Sequence, residues 1–207
     1  MRNIELKARC NDLKRAEAVT ESLGARRVWV RRQTDIYFRV AHGRLKLRLE
    51  EPGGAVLVAY HRADTPSARE SRYEITPIQE GTGSFSALGE GACPPVAGIR
   101  GQAPRSKPNG EPVPGDAQAT LAALEARHGI AARVEKTRTL YLIANVRIHL
   151  DEVAGLGTFI EFEAVLGEGD SEAEARALLG RLAAAFGIEP GEILAGSYAD
   201  MVAGSGR

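Results

Sequence analysis

Residues 147–163 read R-I-H-L-D-E-V-A-G-L-G-T-F-I-E-F-E, and no other stretch restricts the fold as much. Two alternating segments flank a turn containing Gly155 and Gly157, the pattern of a β-hairpin. Strand side chains alternate between faces, so Val146, Ile148 and Leu150 share one face and Arg147, His149 and Asp151 the other. On the second segment Ile160 and Phe162 point one way, while Glu161 and Glu163 point the other with Phe159. The hairpin therefore gathers three carboxylates on one face and offers an apolar face to a core. Like charges this close repel, so water or a cation must compensate them. Antiparallel sheets commonly have a solvated face, and the hairpin alone leaves that choice open.

The same alternation recurs along the chain. Residues 3–10 (N-I-E-L-K-A-R-C) place Ile4, Leu6, Ala8 and Cys10 opposite Asn3, Glu5, Lys7 and Arg9. Asn11 or Asp12 can cap a helix to about Ser22, with Leu13, Ala16, Val19, Thr20 and Leu23 inward and Gly24 ending it. A long strand follows over about 26–40, and His42-Gly43 turns into 45–50, where three leucines alternate with Lys46, Arg48 and Glu50. Pro52-Gly53-Gly54 is a strong turn, leading to strands near 55–62 and 70–78. A helix starting at Asp116 or Thr120 precedes a strand at 132–144 and then the hairpin. Ser171, with Glu174 three residues on, forms a capping-box start for a helix to about Phe186. A short last helix covers Tyr198 to Val202.

Eight strands joined mostly by short links imply antiparallel neighbours. Eight are enough to close into a barrel with no exposed edge. The expected fold is thus α+β: a closed eight-stranded antiparallel barrel with helices packed outside. Residues 79–116 differ, being rich in Gly and Pro and lacking either period. They read as a disordered insertion within one domain spanning 1–207.

Charge balances at 27 basic and 27 acidic residues, so no global field draws nucleic acid or an anionic membrane. No apolar run approaches the ~18–20 residues that span a bilayer. Two cysteines, Cys10 and Cys93, are too few for a disulfide framework. With no signal-peptide pattern at the N-terminus, a cytoplasmic protein is expected. The four histidines show no zinc-like spacing.

Charged residues spaced by two recur on nearly every strand: Glu5 and Lys7, Lys46 and Arg48, Arg62 beside Tyr60, Lys136 and Arg138, Arg147 and Asp151, Glu161 and Glu163. They could all face water, or all line the inside while helices cover an apolar exterior. An inward lining tolerates burial only when matched by complementary ions. Arginine and lysine on opposing walls suit a polyanion. Carboxylates suit a hard divalent cation that bridges to phosphate oxygens.

Asn3-Ile4-Glu5-Leu6-Lys7, Lys46-x-Arg48, Tyr60-x-Arg62, Lys136-x-Arg138, Arg147-x-His149-x-Asp151 and Glu161-x-Glu163, in this order, resemble the CYTH superfamily of triphosphate tunnel metalloenzymes. These include class IV adenylyl cyclases, thiamine triphosphatases and tripolyphosphatases. H-G-R-L-K-L-R (42–48), L-D-E-V-A-G-L-G (150–157) and S-Y-A-D-M (197–201) are most similar to the cyclase-like branch. The resemblance implies the inward lining and a triphosphate tunnel. It implies Mg²⁺ or Mn²⁺ on Glu5, Asp151, Glu161 and Glu163, and phosphate on Lys46, Arg48, Arg62, Lys136, Arg138 and Arg147. Lys7 falls on the lysine of the family's E-x-E-x-K signature, next to the reacting phosphate. The partner would be ATP, tripolyphosphate or thiamine triphosphate, with no nucleic acid and no membrane; a homodimer is the candidate assembly.

The first glutamate of that signature is Asn3 here, which removes a negative charge from a hard-cation site. The implied function is a metal-dependent cyclase making cyclic AMP and pyrophosphate, or a triphosphate hydrolase. The alternative that Asn3 raises is a non-catalytic polyphosphate or nucleotide binder. Tyr60 and Trp29 could stack on a planar ring, although aromatics in strands more often pack in a core. His149 is expected to line the site, and Arg31-Arg32 to lie on the surface.

Overall fold

The computed structural model describes residues 1–78 and 117–204; the expected insertion at 79–116 lies outside them. Eight antiparallel strands close a barrel in the order β1-β5-β4-β3-β2-β6-β7-β8. They are β1 (Arg2–Arg9), β2 (Arg26–Phe38), β3 (Arg44–Glu51), β4 (Ala55–Arg62), β5 (Arg69–Ile78), β6 (Ile130–Ile143), β7 (Val146–Val153) and β8 (Gly157–Leu166). The helices are α1 (Leu13–Ser22), α2 (Ala117–His128), α3 (Glu172–Ala185) and α4 (Tyr198–Gly204). The expected α+β barrel is the observed fold, and Asp12 and Ser171 cap α1 and α3 through their side chains.

Closure follows from registers that short links alone cannot set. β1 joins β5 at Asn3↔Ser71 and β8 at Glu5↔Glu163, so the first strand seals the cylinder. β2 pairs β6 from Arg26↔Leu142 to Phe38↔Ile130, about a hundred residues apart in sequence. The β2–β3 turn requires glycine at position 43. Its φ is +67°, and a Cβ there would come within 2.7 Å of the His61 ring.

Three apolar clusters decide what faces where. Ile4, Leu6, Ile148, Leu150, Ile160 and Phe162 face outward from the barrel and are covered by Ala16 of α1 and Leu179 and Leu182 of α3. Ile36, Phe38 and Leu47 are covered in the same way by Leu121 and Leu124 of α2. Each such side chain contributes about 1.5–3 kcal/mol when fully buried. That burial holds the apolar faces outward and leaves the charged faces inside. The third cluster occupies one end of the barrel. There Tyr37, Val134, Val153 and Phe159 meet Tyr198, Met201 and Val202 of α4.

That end is tied as well as packed. The Leu194 amide donates to the Lys7 carbonyl at 2.8 Å, and Arg69 donates to the Leu194 carbonyl at 2.6 Å. Arg44 reaches Asp200 at 3.1 Å, and the Tyr198 hydroxyl donates to Asp151 at 2.7 Å. The segment 194–200 thus crosses from β1 and β5 to β3 and β7, and acts as a stopper. The opposite end, where β1, β2, β4 and β7 begin, carries the mouth of the interior cavity.

Candidate active site in the barrel interior

A cavity of about 420 Å³ runs inside the barrel. Ten of the residues expected to form the site line it: Glu5, Lys7, Lys46, Arg48, Arg62, Lys136, Arg138, Arg147, Glu161 and Glu163. Asp151 also faces inward but lies behind this wall. It is fully buried, accepts two hydrogen bonds from Arg138 at 2.6 Å each, and accepts a third from Tyr198. Its contacts make it the anchor of Arg138.

The charges form connected pairs. Glu161 is 3.4 Å from the Lys7 ammonium and 2.9 Å from Arg138. Glu163 meets Arg147 and His149 at 3.2 Å each and accepts from the Asn3 amide. Arg62 donates to Glu5 at 2.7 Å. Burial alone would push the Glu161 and Glu163 carboxyls up. Lys7 and Arg138 outweigh it at Glu161, whose pKa lies well below the usual range. At Glu163 the His149 hydrogen bond and Arg147 bring the pKa down to about 2, and at Asp151 Arg138 does the same. Burial and the neighbouring Arg138 lower His149, which keeps the ring neutral near pH 7.

The largest omission from the sequence reading is Asp35 on β2. It is fully buried and gathers three of the expected phosphate ligands: Arg48 at 2.7 and 3.0 Å, Lys136 at 2.6 Å and Lys46 at 3.2 Å. Burial opposes its ionisation, but Arg48, Lys136 and Lys46 hold the carboxyl well below its usual range. The signal was present, because Arg31, Gln33, Asp35 and Tyr37 alternate on one face of β2. Arg69 was also missed, since β5 begins one residue before the expected strand; it lies 3.4 Å from Glu5.

Two further expectations change. Arg31 is not a surface residue: it points into the mouth, 2.6 Å from Glu50, and only Arg32 faces out. Tyr60 and Trp29 belong to the cavity wall rather than to an apolar core. Tyrosines also floor the cavity. The Lys7 ammonium sits 3.9 Å from the centre of the Tyr198 ring, and Lys136 5.6 Å from it. Lys46 lies over Tyr37 and Tyr60 at 5.4 and 5.7 Å.

Eight lysines and arginines line the cavity against five carboxylates. The excess positive charge calls for an anionic guest. A larger groove of about 610 Å³ lies outside, lined by Arg32, Thr34, Glu51, Glu135, Thr137 and Glu152. Its acidic wall would repel such a guest.

Comparison with known proteins agrees with the fold. A family profile described as the CYTH domain matches residues 1–198. The chain belongs to the CYTH domain family. Solved structures share the fold at low identity. The PH1012 protein of Pyrococcus horikoshii superposes with a TM-score of 0.71 at 16% identity, over 96% of this chain and 98% of its own. A candidate adenylate cyclase from Vibrio parahaemolyticus gives 0.68 at 17% identity, over 97% of each chain. HpAC1 from Hippeastrum, a candidate adenylyl cyclase described as having dominant triphosphatase activity, gives 0.56 at 16%, over 99% of this chain and 96% of its own. No curated protein matches the sequence. In this CYTH domain no helix among the described residues is long and apolar enough to cross a membrane.

Among the described residues no three of His, Cys, Asp and Glu are already grouped as a metal site, because basic partners occupy the carboxylates. The donors nevertheless suit a hard cation. Glu161 and Glu163 supply oxygens, and the buried Asn3 carbonyl oxygen beside Glu163 has no hydrogen-bond partner. A buried acceptor left unpaired costs about 1–3 kcal/mol, which a cation at that oxygen would recover.

Proposed function

We propose that this CYTH domain is a divalent-metal-dependent hydrolase that removes the terminal phosphoryl group of a triphosphate. The observation that carries the reading is the gathering of Lys7, Lys46 and Lys136 over the tyrosine floor of a cavity whose wall bears Arg48, Arg62, Arg138 and Arg147. From Asn3 at the mouth to Lys7 at the floor is four residues of strand, ~13 Å at the usual rise, enough for three phosphoryl groups in a row. The terminal group would meet the lysines and the inner groups the arginines, which grip phosphate bidentately. Mg²⁺ or Mn²⁺ on Glu161, Glu163, Glu5 and the Asn3 carbonyl would supply Lewis acidity and lower the pKa of an attacking water.

Positioning and charge neutralisation are most of what phosphoryl transfer asks of a protein. Phosphates drawn to Lys7, Arg138 and Arg147 would free the carboxylates those groups now occupy. Lys7, held by Glu161 and the Tyr198 ring, would donate to the phosphoryl oxygens as charge develops on them. A water nucleophile needs no ribose to be oriented, and the activity described for HpAC1 favours hydrolysis.

The test is product analysis with ATP, inorganic tripolyphosphate and thiamine triphosphate, each with Mg²⁺ and with Mn²⁺. Orthophosphate that disappears in Glu161→Ala and Glu163→Ala supports hydrolysis. Cyclic AMP with pyrophosphate would make the chain a cyclase instead. Tight binding without turnover would make it a polyphosphate or nucleotide binder, the role that Asn3 raises.

A pH dependence follows from Lys136. Burial lowers its pKa to about 8, partly offset by Asp35. Raising the pH through about 8 therefore removes a cation from the floor, and the Lys136→Gln variant separates that loss from any ionisation of the ligand itself. Tripolyphosphate affinity should hold steady between about pH 7 and 8 and fall above it, as read by calorimetry. Lys136→Gln should bind more weakly and lose that alkaline limb; a limb unchanged in the variant would assign it to another group.

A further inference from the structure

The two sides of the cavity mouth differ in chemistry. On the β1–β7–β8 side it is polar, with Asn3, Arg147 and Glu163. On the β2–β4–β5 side aromatic and aliphatic side chains join the Arg31–Glu50 pair. The last β2–β3 pair is Arg32↔Glu51, so the start of β2 overhangs β3 and carries Trp29 out to the rim. On β4 and β5 the pairs Val56↔Pro77 and Val58↔Ile75 add an apolar strip to the same lining. Ile75 is 38% exposed, one of the few large apolar side chains of the described residues left open to water. Isolated apolar residues on a surface are ordinary, but these converge on the entrance to a cavity otherwise lined by charge.

Unsatisfied polar atoms lie beside the strip. Gln33 is 2% exposed and lines the cavity; its amide nitrogen is fixed by Glu50 at 2.5 Å, yet its carbonyl oxygen has no partner. The buried Trp29 indole nitrogen likewise lacks an acceptor among the described residues. The Arg31 guanidinium lies 4.8 Å from the centre of the Trp29 ring and is held by Glu50, which braces the indole in place. A fixed indole and an aliphatic strip on the same rim suit a flat ring. They offer nothing to a bare phosphate.

We propose that Trp29, Val56, Ile75 and Pro77 form a head-group subsite for the planar heteroaromatic ring of a nucleoside triphosphate, selecting it over inorganic tripolyphosphate. The inference rests on the triphosphate reading of the cavity, since the subsite sits where the organic end would emerge once the phosphates are inside. Ring stacking on an aromatic side chain is sequence-tolerant, so the subsite selects for a base without dictating which one.

Trp29 is the only tryptophan in the chain, so its fluorescence reports on the subsite directly. The β,γ-imido analogue of ATP and inorganic tripolyphosphate are titrated into the protein with Mg²⁺, following fluorescence and heat. The analogue should bind more tightly and quench Trp29, while tripolyphosphate binds with little change in emission. Trp29→Leu should weaken the analogue roughly tenfold or more, in line with the loss of one stacked ring, and leave tripolyphosphate within about twofold. Ile75→Ser, at an exposed position that does not threaten folding, should weaken only the analogue, by a smaller factor. If tripolyphosphate binds but the analogue binds no tighter and leaves Trp29 emission unchanged, or if both variants weaken the two ligands equally, the subsite is wrong and the triphosphate reading survives. If neither ligand binds the unaltered protein, both fall together.

Discussion

Asp35→Asn is expected to lower the thermal midpoint by roughly 6–20 °C. The carboxylate is the shared partner of Lys46, Arg48 and Lys136, none of which has another carboxylate among its described ion pairs. Removing one partner from a buried ion cluster costs about 3–5 kcal/mol. A domain of this size loses about 2–4 °C per kcal/mol. Asparagine keeps the shape and one acceptor oxygen, so the loss isolates charge rather than volume. A polyanion in the cavity would restore the missing negative charge. Saturating tripolyphosphate should therefore raise the midpoint of the variant by more than it raises that of the unaltered protein, as read by differential scanning calorimetry. An unchanged midpoint without ligand would show that the three cations do not depend on Asp35.

Glu161→Gln is expected to reduce turnover by ~10²–10³-fold or more, the range found when one electrostatic group is removed from a reacting centre. Glu161 faces Lys7 and Arg138 and contributes one of the oxygens suited to a cation. Arg138 keeps its two hydrogen bonds to Asp151, so only Lys7 loses its carboxylate partner, and the midpoint at pH 7 should move less than in Asp35→Asn. The measurement is turnover at saturating Mn²⁺, paired with Mn²⁺ affinity followed by electron paramagnetic resonance. Turnover and Mn²⁺ affinity should fall together; turnover within a few-fold of the unaltered protein would remove Glu161 from the chemistry.

The parts of the site legible in the sequence are those where one strand face is apolar and the other charged. Glu161 and Glu163 were readable because Ile160 and Phe162 go to the opposite face, beneath α3. Asp35 escaped because the in–out contrast fails at its end of the strand. Ile36 and Phe38 lie under α2 and Tyr37 packs against the stopper, so three apolar side chains follow it, while Arg32 and Thr34 put polar groups on the outer face before it. Its partner Lys136 reaches it through the β2–β6 pairing, which local periodicity does not encode. Arg31 was hidden by its neighbour: two adjacent arginines suggest a solvated pair, although alternation sends one in and one out. Tyr198 depends on the docking of α4 against Phe159, at 4.9 Å between ring centres, and on the hydrogen bond to Asp151; both are tertiary facts. That eight antiparallel strands suffice for a barrel was legible from their number and short links, but the β1–β5, β1–β8 and β2–β6 pairings that close it were not.

If the barrel hydrolyses a triphosphate as proposed, the stopper at the α4 end would give the reaction a direction in time. With one end sealed by Tyr198, Phe159 and Met201, whatever enters head-outward must also leave by the mouth. The fragment left on the arginine wall stands between the floor and solvent. Orthophosphate released at the lysines would then wait behind it, first in and last out. Departure would follow a queue, with the organic product leaving first and the small anion holding the floor against the next substrate until it clears.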